Sequence, residues 1–210
     1  MNQFKYWDKV AEDKDFPTHF AIKNFEKYVS KGMKILDLGC GYGRTLNELY
    51  INGFSNLTGV DYSVRMIRRG LKKYPYLNLI VNDGDTIPFP DKEFKAVILI
   101  GVLTSNIKDL EQEKLLKELS RILSDQGILY IADFLINYDA RNIERYNKYK
   151  DKYETYGVFE LPEGVILRHH TEDYIKNLLR GFKELCFKKT VYKTMNNHKS
   201  NGFYFIGKKD

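Results

Sequence analysis

Short apolar runs alternate with segments of helical spacing along the first two thirds of the chain. Residues 18–29 read as an amphipathic helix, with Phe20, Ile22, Phe25, Tyr28 and Val29 on its apolar side. In MKILDLGCGYG an apolar strand runs into a glycine-rich turn, and residues 44–52 follow as a helix stopped by Gly53. NLTGVD, at 56–61, is a second strand, after which Ser63 caps a helix through Lys73. LNLIVND (77–83) and KAVILIG (95–101) are the third and fourth strands. Asp109 is placed to cap a helix through Leu123, with Leu115, Leu116, Leu119, Ile122 and Leu123 as its buried stripe. After a break at SDQG, residues 127–134 form a fifth strand. Fully apolar strands separated by helices predict an α/β fold, a doubly wound and mostly parallel sheet covered on both faces. Such sheets bind ligands beyond the carboxyl ends of their strands, here the loops after residues 38, 61, 83 and 101.

The alternation stops at Leu135. Tyr146, Tyr149, Tyr153 and Tyr156 then fall on one helical face. They are expected either to pack this insertion on the core or to lid an acceptor site. Thr171 opens a helix ending near Gly181, and two strands, roughly 183–192 and 202–208, close the chain as an antiparallel hairpin around NNHKSNG. The expected organisation is one domain over 1–210: an N-terminal helical cap (1–30), a cofactor-binding core (33–134), an insertion or substrate cap (135–170), and a C-terminal helix and hairpin (171–210).

A chain of 210 residues suits a single core. No apolar run reaches the roughly 18 residues of a membrane span, and the first residues lack the apolar centre of a signal peptide. Cys40 and Cys186 form neither a disulfide framework nor a metal cluster. The expectation is a cytoplasmic protein with no membrane partner and no metal. The net charge is +6. Arg65, Arg68, Arg69, Lys72 and Lys73 share one helix face, which reads first as a solvated surface and second as a nucleic-acid footprint.

The main chemical signal is Asp37-Leu-Gly39-Cys-Gly41-Tyr-Gly43. Alternate glycines let the backbone turn sharply and approach a ligand closely, while the next helix points free N–H groups the same way. A nicotinamide-binding loop is spaced G-x-G-x-x-G instead. Asp37 would attract a cationic amino group and repel a pyrophosphate. Asp61, ending the second strand, suits a ribose diol in either kind of cofactor. Asp83-Gly84-Asp85-Thr86 can meet an adenine edge; turn and cap roles for its acids are the other reading.

Together these segments resemble class I S-adenosylmethionine-dependent methyltransferases, near the group that methylates small molecules. ILDLGCGYG resembles that family's first motif, GVDYS its acidic loop, NDGDTIPFPDKEFKAV its adenine segment, and LLKELSRILSDQGILYIADF its helix and fifth strand. The resemblance covers 33–134 well and the final hairpin loosely. It implies a Rossmann-like, seven-stranded methyltransferase fold and S-adenosylmethionine as cofactor, with S-adenosylhomocysteine as product. It further implies that Asp37 and Gly39 face the methionine amino group, with Gly41 beside the cofactor. Asp61 would bind the ribose, Tyr62 would pack on adenine, and Asp85 and Thr86 would hold its edge. Gly101 would approach the methionine end, and Tyr6-Trp7-Asp8 is similar to the start that covers the cofactor in relatives.

The implied reaction is in-line methyl transfer to an oxygen or nitrogen of a small-molecule acceptor. A base is needed only if the acceptor arrives protonated. His169 and His170 are the candidates, on what reads as a loop before a helix, with local capping or surface exposure as the alternative. His19 ranks below them. The stretch GVLTSN lacks the D/N-P-P-Y motif of base and glutamine amino-methylation, and no cysteine is placed as a nucleophile. Competing readings are an RNA or protein acceptor on the same fold, a nicotinamide-dependent oxidoreductase, and a non-catalytic cofactor-binding module.

Overall fold

The computed structural model describes residues 3–84 and 86–210, the side chain of Phe4 excepted. In chain order the elements are α1 (Gln3–Lys9), α2 (Ile22–Phe25), β1 (Ile35–Leu38), α3 (Arg44–Ile51), β2 (Leu57–Asp61), α4 (Val64–Lys73), β3 (Asn78–Val81) and β4 (Phe94–Ile100). A short 3₁₀ turn, Leu103–Ser105, precedes α5 (Asp109–Ile122) and β5 (Leu123–Phe134). Then come α6 (Ala140–Tyr153), β6 (Val158–Glu160), β7 (Ile166–Arg168), α7 (Glu172–Leu178), β8 (Lys183–Lys193) and β9 (Lys199–Lys208).

Seven strands make one sheet in the order β3-β2-β1-β4-β5-β9-β8. The first five are parallel, and β9 and β8 add antiparallel. Alternate residues serve opposite faces, as the two-residue period of a strand requires. Ile35, Ala96, Ile98 and Tyr130 pack with Phe20, Phe25 and the α3 residues Leu46 and Leu49. Leu36, Val97, Leu99 and Ile131 pack with Leu116, Leu119 and Ile122 of α5. Burial on both faces is why these strands read as unbroken apolar runs, and each such side chain contributes about 1.5–3 kcal/mol.

Several local expectations need correction. The helix expected over 18–29 shrinks to the four residues of α2. Aromatic packing overrides it: Phe20 lies 5.2 Å from Phe25 and 4.8 Å from Tyr130, whose hydroxyl accepts from the Ala21 N–H at 3.0 Å. Lys108, not Asp109, is the cap position of α5, and Asp109 pairs with Arg168 instead. SDQG does not break the chain between helix and strand. It is a bulge inside β5, with Leu123 paired to Phe94 and Ile128 to Ala96, and Gln126 takes a φ of 62°. The final hairpin begins its return strand earlier, at Lys199. The hairpin β6–β7 inside the insertion was not anticipated.

The insertion leaves and rejoins the sheet at one point. Leu135 bridges His170 in parallel, the Ile136 N–H donates to the His170 carbonyl at 2.9 Å, and the His170 N–H donates to the Phe134 carbonyl at 3.1 Å. The N-terminal segment is fastened by α4. Asp8 accepts from the Ser63 hydroxyl and the Arg65 N–H, both at 2.9 Å. Arg69 donates to the Ala11 and Lys14 carbonyls at 2.8 Å, pairs with Asp15, and lies 4.1 Å over the Tyr42 ring. The basic face is therefore not simply solvated: two of its arginines hold the chain's own start. Among the described residues no helix is long and apolar enough to cross a membrane.

Candidate functional site

A cavity of about 1100 Å³ opens at the carboxyl ends of β1, β2 and β4, where a doubly wound sheet is expected to receive its ligand. Asp37, near the end of β1, is 2% exposed and lines it. Burial pushes its carboxyl up to about 7; Arg44 opposes that rise and Asp61 adds to it. Beyond β1 the backbone is left-handed at Gly39 (φ 74°), Gly41 (55°) and Gly43 (80°). A Cβ at Gly39 would stand 2.6 Å from Val102 Cγ2, so this turn has no room for a side chain. Cys40, buried in the same turn, serves packing.

Asp61 is oriented by the two loops it joins. Its Oδ2 accepts from the Gly41 N–H at 2.9 Å and its Oδ1 from the Ser63 N–H at 2.8 Å. Burial raises its carboxyl above the usual range while those amides pull it down. The Tyr62 amide bonds the same carboxylate, so part of its acceptor capacity is left for a ligand. Tyr62 is next in the wall and accepts a hydrogen bond from Trp7, which also lines the cavity and packs 5.8 Å from Phe16. Asn82 shapes the third loop, accepting from the Gly84 N–H at 2.5 Å and donating to the Thr86 carbonyl at 2.8 Å. Thr86 and Gly101 line the cavity; Asp85 lies outside the described residues. Asp37, Gly39, Gly41, Asp61, Tyr62, Thr86 and Gly101 thus share one cavity wall.

The insertion forms the far wall, with residues the sequence did not single out: Arg141 and Arg145 of α6, Phe159, Glu160 and Leu161. The tyrosines point elsewhere. Tyr146 is fully buried against Ile136 and Phe159, α6 ends at Tyr153, and Tyr156 lies beyond it. Packing, not a tyrosine lid, is their role. The same three-residue and four-residue spacings that identified the tyrosine face put the two arginines one turn apart on the neighbouring face.

The histidines separate. His169 lines the cavity and is 4% exposed; His170 is 1% exposed and is absent from the wall. His170 Nε2 meets the Gln112 side-chain amide at 2.9 Å, its ring stacks on Tyr174, and burial pushes it down to about 3. It is a neutral core residue, neither exposed nor a base. Burial also holds His169 well below the usual histidine range, with Arg145 adding to the effect. Its Nδ1 lies 2.6 Å from the Tyr146 hydroxyl and 3.2 Å from Asn137 Nδ2. The Tyr146 oxygen accepts from the Asn137 N–H at 3.3 Å and from Arg145, and its proton has two acceptors in reach, His169 Nδ1 and, at 3.4 Å, Asn142 Oδ1. With burial and Arg145 both disfavouring its protonation, His169 is a weak base where a base was expected. His19 is exposed and away from the wall.

Residues 35–127 match the family model described as a methyltransferase domain. Over 134 residues the chain is 32% identical to the demethylmenaquinone methyltransferase of Paenarthrobacter aurescens, covering 64% of this chain and 47% of that protein. Over 133 residues it is 26% identical to the eEF1A lysine and N-terminal methyltransferase of Bos taurus, covering 58% and 19%. The chain thus spans less than half the length of either curated relative. A crystal structure of a SAM-dependent methyltransferase from Methanosarcina mazei superposes with a TM-score of 0.84 at 26% identity, covering 91% of this chain and 98% of that one.

Proposed function

This chain carries a class I S-adenosylmethionine-dependent methyltransferase domain, and from that premise we propose that it transfers a methyl group to an oxygen or nitrogen of a small-molecule acceptor. One observation carries the choice of acceptor: the glycine-turn loops and the insertion line a single cavity. An acceptor reaching the glycine turn would be surrounded by α6, β6 and β7, a setting that suits a small molecule better than a polymer.

The residues fit the cofactor. Asp37 is a buried carboxylate whose only nearby cation is Arg44 among the charges that shift it, so a ligand ammonium would relieve its burial. The turn at Gly39 leaves backbone where a Cβ would clash. Asp61, aimed by the backbone amides of Gly41, Tyr62 and Ser63, turns its remaining acceptor capacity toward a ribose hydroxyl. Tyr62, Asp83 and Thr86 lie on the wall where an adenine would follow.

Bound S-adenosylmethionine supplies a methyl group already activated on a sulfonium. The protein's own work is orientation and exclusion of water, and orientation alone is worth about 7–11 kcal/mol. Trp7 and Phe16 cover one side of the cavity, while Phe134 and Phe159 supply apolar wall on the insertion side. Because burial and Arg145 disfavour protonation of His169, the site favours an acceptor atom that already carries a free lone pair.

Thermal unfolding with S-adenosylhomocysteine tests the cofactor reading: the ligand should raise Tm, nicotinamide cofactors should not, and Asp61→Ala should lose most of the shift. An Asp61→Ala protein that responds like the parent would remove the ribose assignment. Incubation with methyl-labelled S-adenosylmethionine and separate pools of small molecules, RNA and protein tests the acceptor. Label confined to RNA or protein would refute the small-molecule reading.

A further inference from the structure

Among the described residues, one charge on the cavity wall has no ion-pair partner. Arg145 lies flat on Phe159, with its guanidinium carbon 3.5 Å from the ring centroid, and it donates to the Tyr146 hydroxyl. Its Nε is buried and has no hydrogen-bond partner. Among the described residues no carboxylate forms an ion pair with it; Asp139, an acid whose charge acts on it, bonds Asn142 and stands 3.9 Å from Arg141. The other acids of this wall have cations of their own. Glu160 is held by Lys152 and Tyr153, Glu163 stands 4.0 Å from Lys14, and Glu111 3.2 Å from Lys108. Arg141, one turn before Arg145 and exposed, lines the same cavity.

A partly desolvated guanidinium with an unfilled donor is unfavourable unless a partner arrives. Stacking on Phe159 accounts for the plane of Arg145 but leaves Nε without an acceptor. The stack also holds the planar donor fork in place, which lowers the ordering cost of binding an oxyanion.

We propose that Arg145, assisted by Arg141, binds an oxyanion group of the methyl acceptor, a carboxylate or a phosphate monoester. The proposal rests on the reading of this cavity as a methyl-transfer site and names the class of molecule that enters it. An anionic acceptor also offsets the positive charge that the two arginines and a bound sulfonium together bring to one cavity. A neutral analogue would leave Arg145 unpaired, so the same residue that attracts the anion selects against its uncharged counterpart.

The test uses the whole protein saturated with S-adenosylhomocysteine, titrated with benzoate against benzamide and phenyl phosphate against phenol, and read by ligand-observed NMR. At least one anion should bind about tenfold tighter than its uncharged partner, the weight of one charge-assisted pair. The stronger of the two anions identifies the group. Arg145→Gln should abolish the preference, Arg145→Lys should restore part of it, and neither should change the affinity for S-adenosylhomocysteine. Equal binding of anions and neutral partners to the parent protein overturns the proposal, as does no binding at millimolar concentration or a preference that survives in Arg145→Gln. If Arg145→Gln does not fold, the parent ratios and Arg141→Gln decide. Failure of the cofactor reading shows separately, as absent S-adenosylhomocysteine binding in the same samples.

Discussion

Replacing Asp37 with asparagine should make the free protein more stable and the cofactor weaker. The free fold holds this carboxyl at about 7, against an ordinary value of 3.8, mainly because it is buried. A raised native value means that the folded state binds the proton more tightly than the unfolded chain. Stability of the free protein therefore falls as pH rises from 3.8 toward 7. Above that window the ionised carboxylate costs about 4 kcal/mol as an upper bound, and Asp37→Asn removes that cost. Ligand binding has the opposite sign. An ammonium beside Asp37 favours the ionised form, so binding releases the proton, and affinity should weaken about tenfold from pH about 8 to about 6. In Asp37→Asn the charged hydrogen bond is gone, at about 1.5–3 kcal/mol, and the pH dependence goes with it. Calorimetric titration with S-adenosylhomocysteine across this range, paired with denaturant melts at pH about 8, measures both halves. Asp133 also sits near 7 through burial, but it is common to parent and variant and cancels in the comparison. A flat affinity profile in the parent, or a free Asp37→Asn protein less stable than the parent at alkaline pH, would refute the reasoning.

Two further substitutions probe the walls of the cavity. Gly39→Ala places a Cβ 2.6 Å from Val102 Cγ2 at a φ of 74°, and should lower the unfolding midpoint by the equivalent of about 1–2 kcal/mol while weakening the cofactor. An unchanged midpoint in urea would show that the turn tolerates a side chain. Asp8→Ala removes the carboxylate that accepts from Ser63 and from the Arg65 N–H in the first turn of α4, a loss of about 0.5–2 kcal/mol. Because Trp7 lies on the cavity wall beside it, S-adenosylhomocysteine should leave faster in stopped-flow; an unchanged off-rate would separate this segment from the ligand.

The parallel sheet was legible because its information is local. Apolar runs such as Ile35–Leu38 and Phe94–Ile100, glycines at positive φ, and caps such as Ser63 each declare themselves within a few residues. The acidic loops were legible for the same reason. What escaped depends on partners distant in sequence. Residues 18–29 have a helical pattern, yet Tyr130 and the Phe20–Phe25 contact decide their path. Asp8 stands out in sequence as part of Tyr6-Trp7-Asp8, but its bond to the start of α4 shows only once that helix is folded beneath it. Arg141 and Arg145 carry no local signal, and only the β6–β7 hairpin, too short to stand out in sequence, turns their side of α6 into a wall. His169 and His170 were noticed as a pair, but adjacent residues on an extended segment face opposite ways, so one met the cavity and the other the core.

The doubled contact between Leu135 and His170 has an evolutionary meaning. Because the intervening stretch leaves and rejoins the sheet beside one residue pair, a change in its length adds little loop-closure cost at the sheet. Its composition is less free: Arg168 is bonded to the Ile107 carbonyl and Asp109, and Asn137 to Ser200, so any replacement of this module has to keep those ties or supply others.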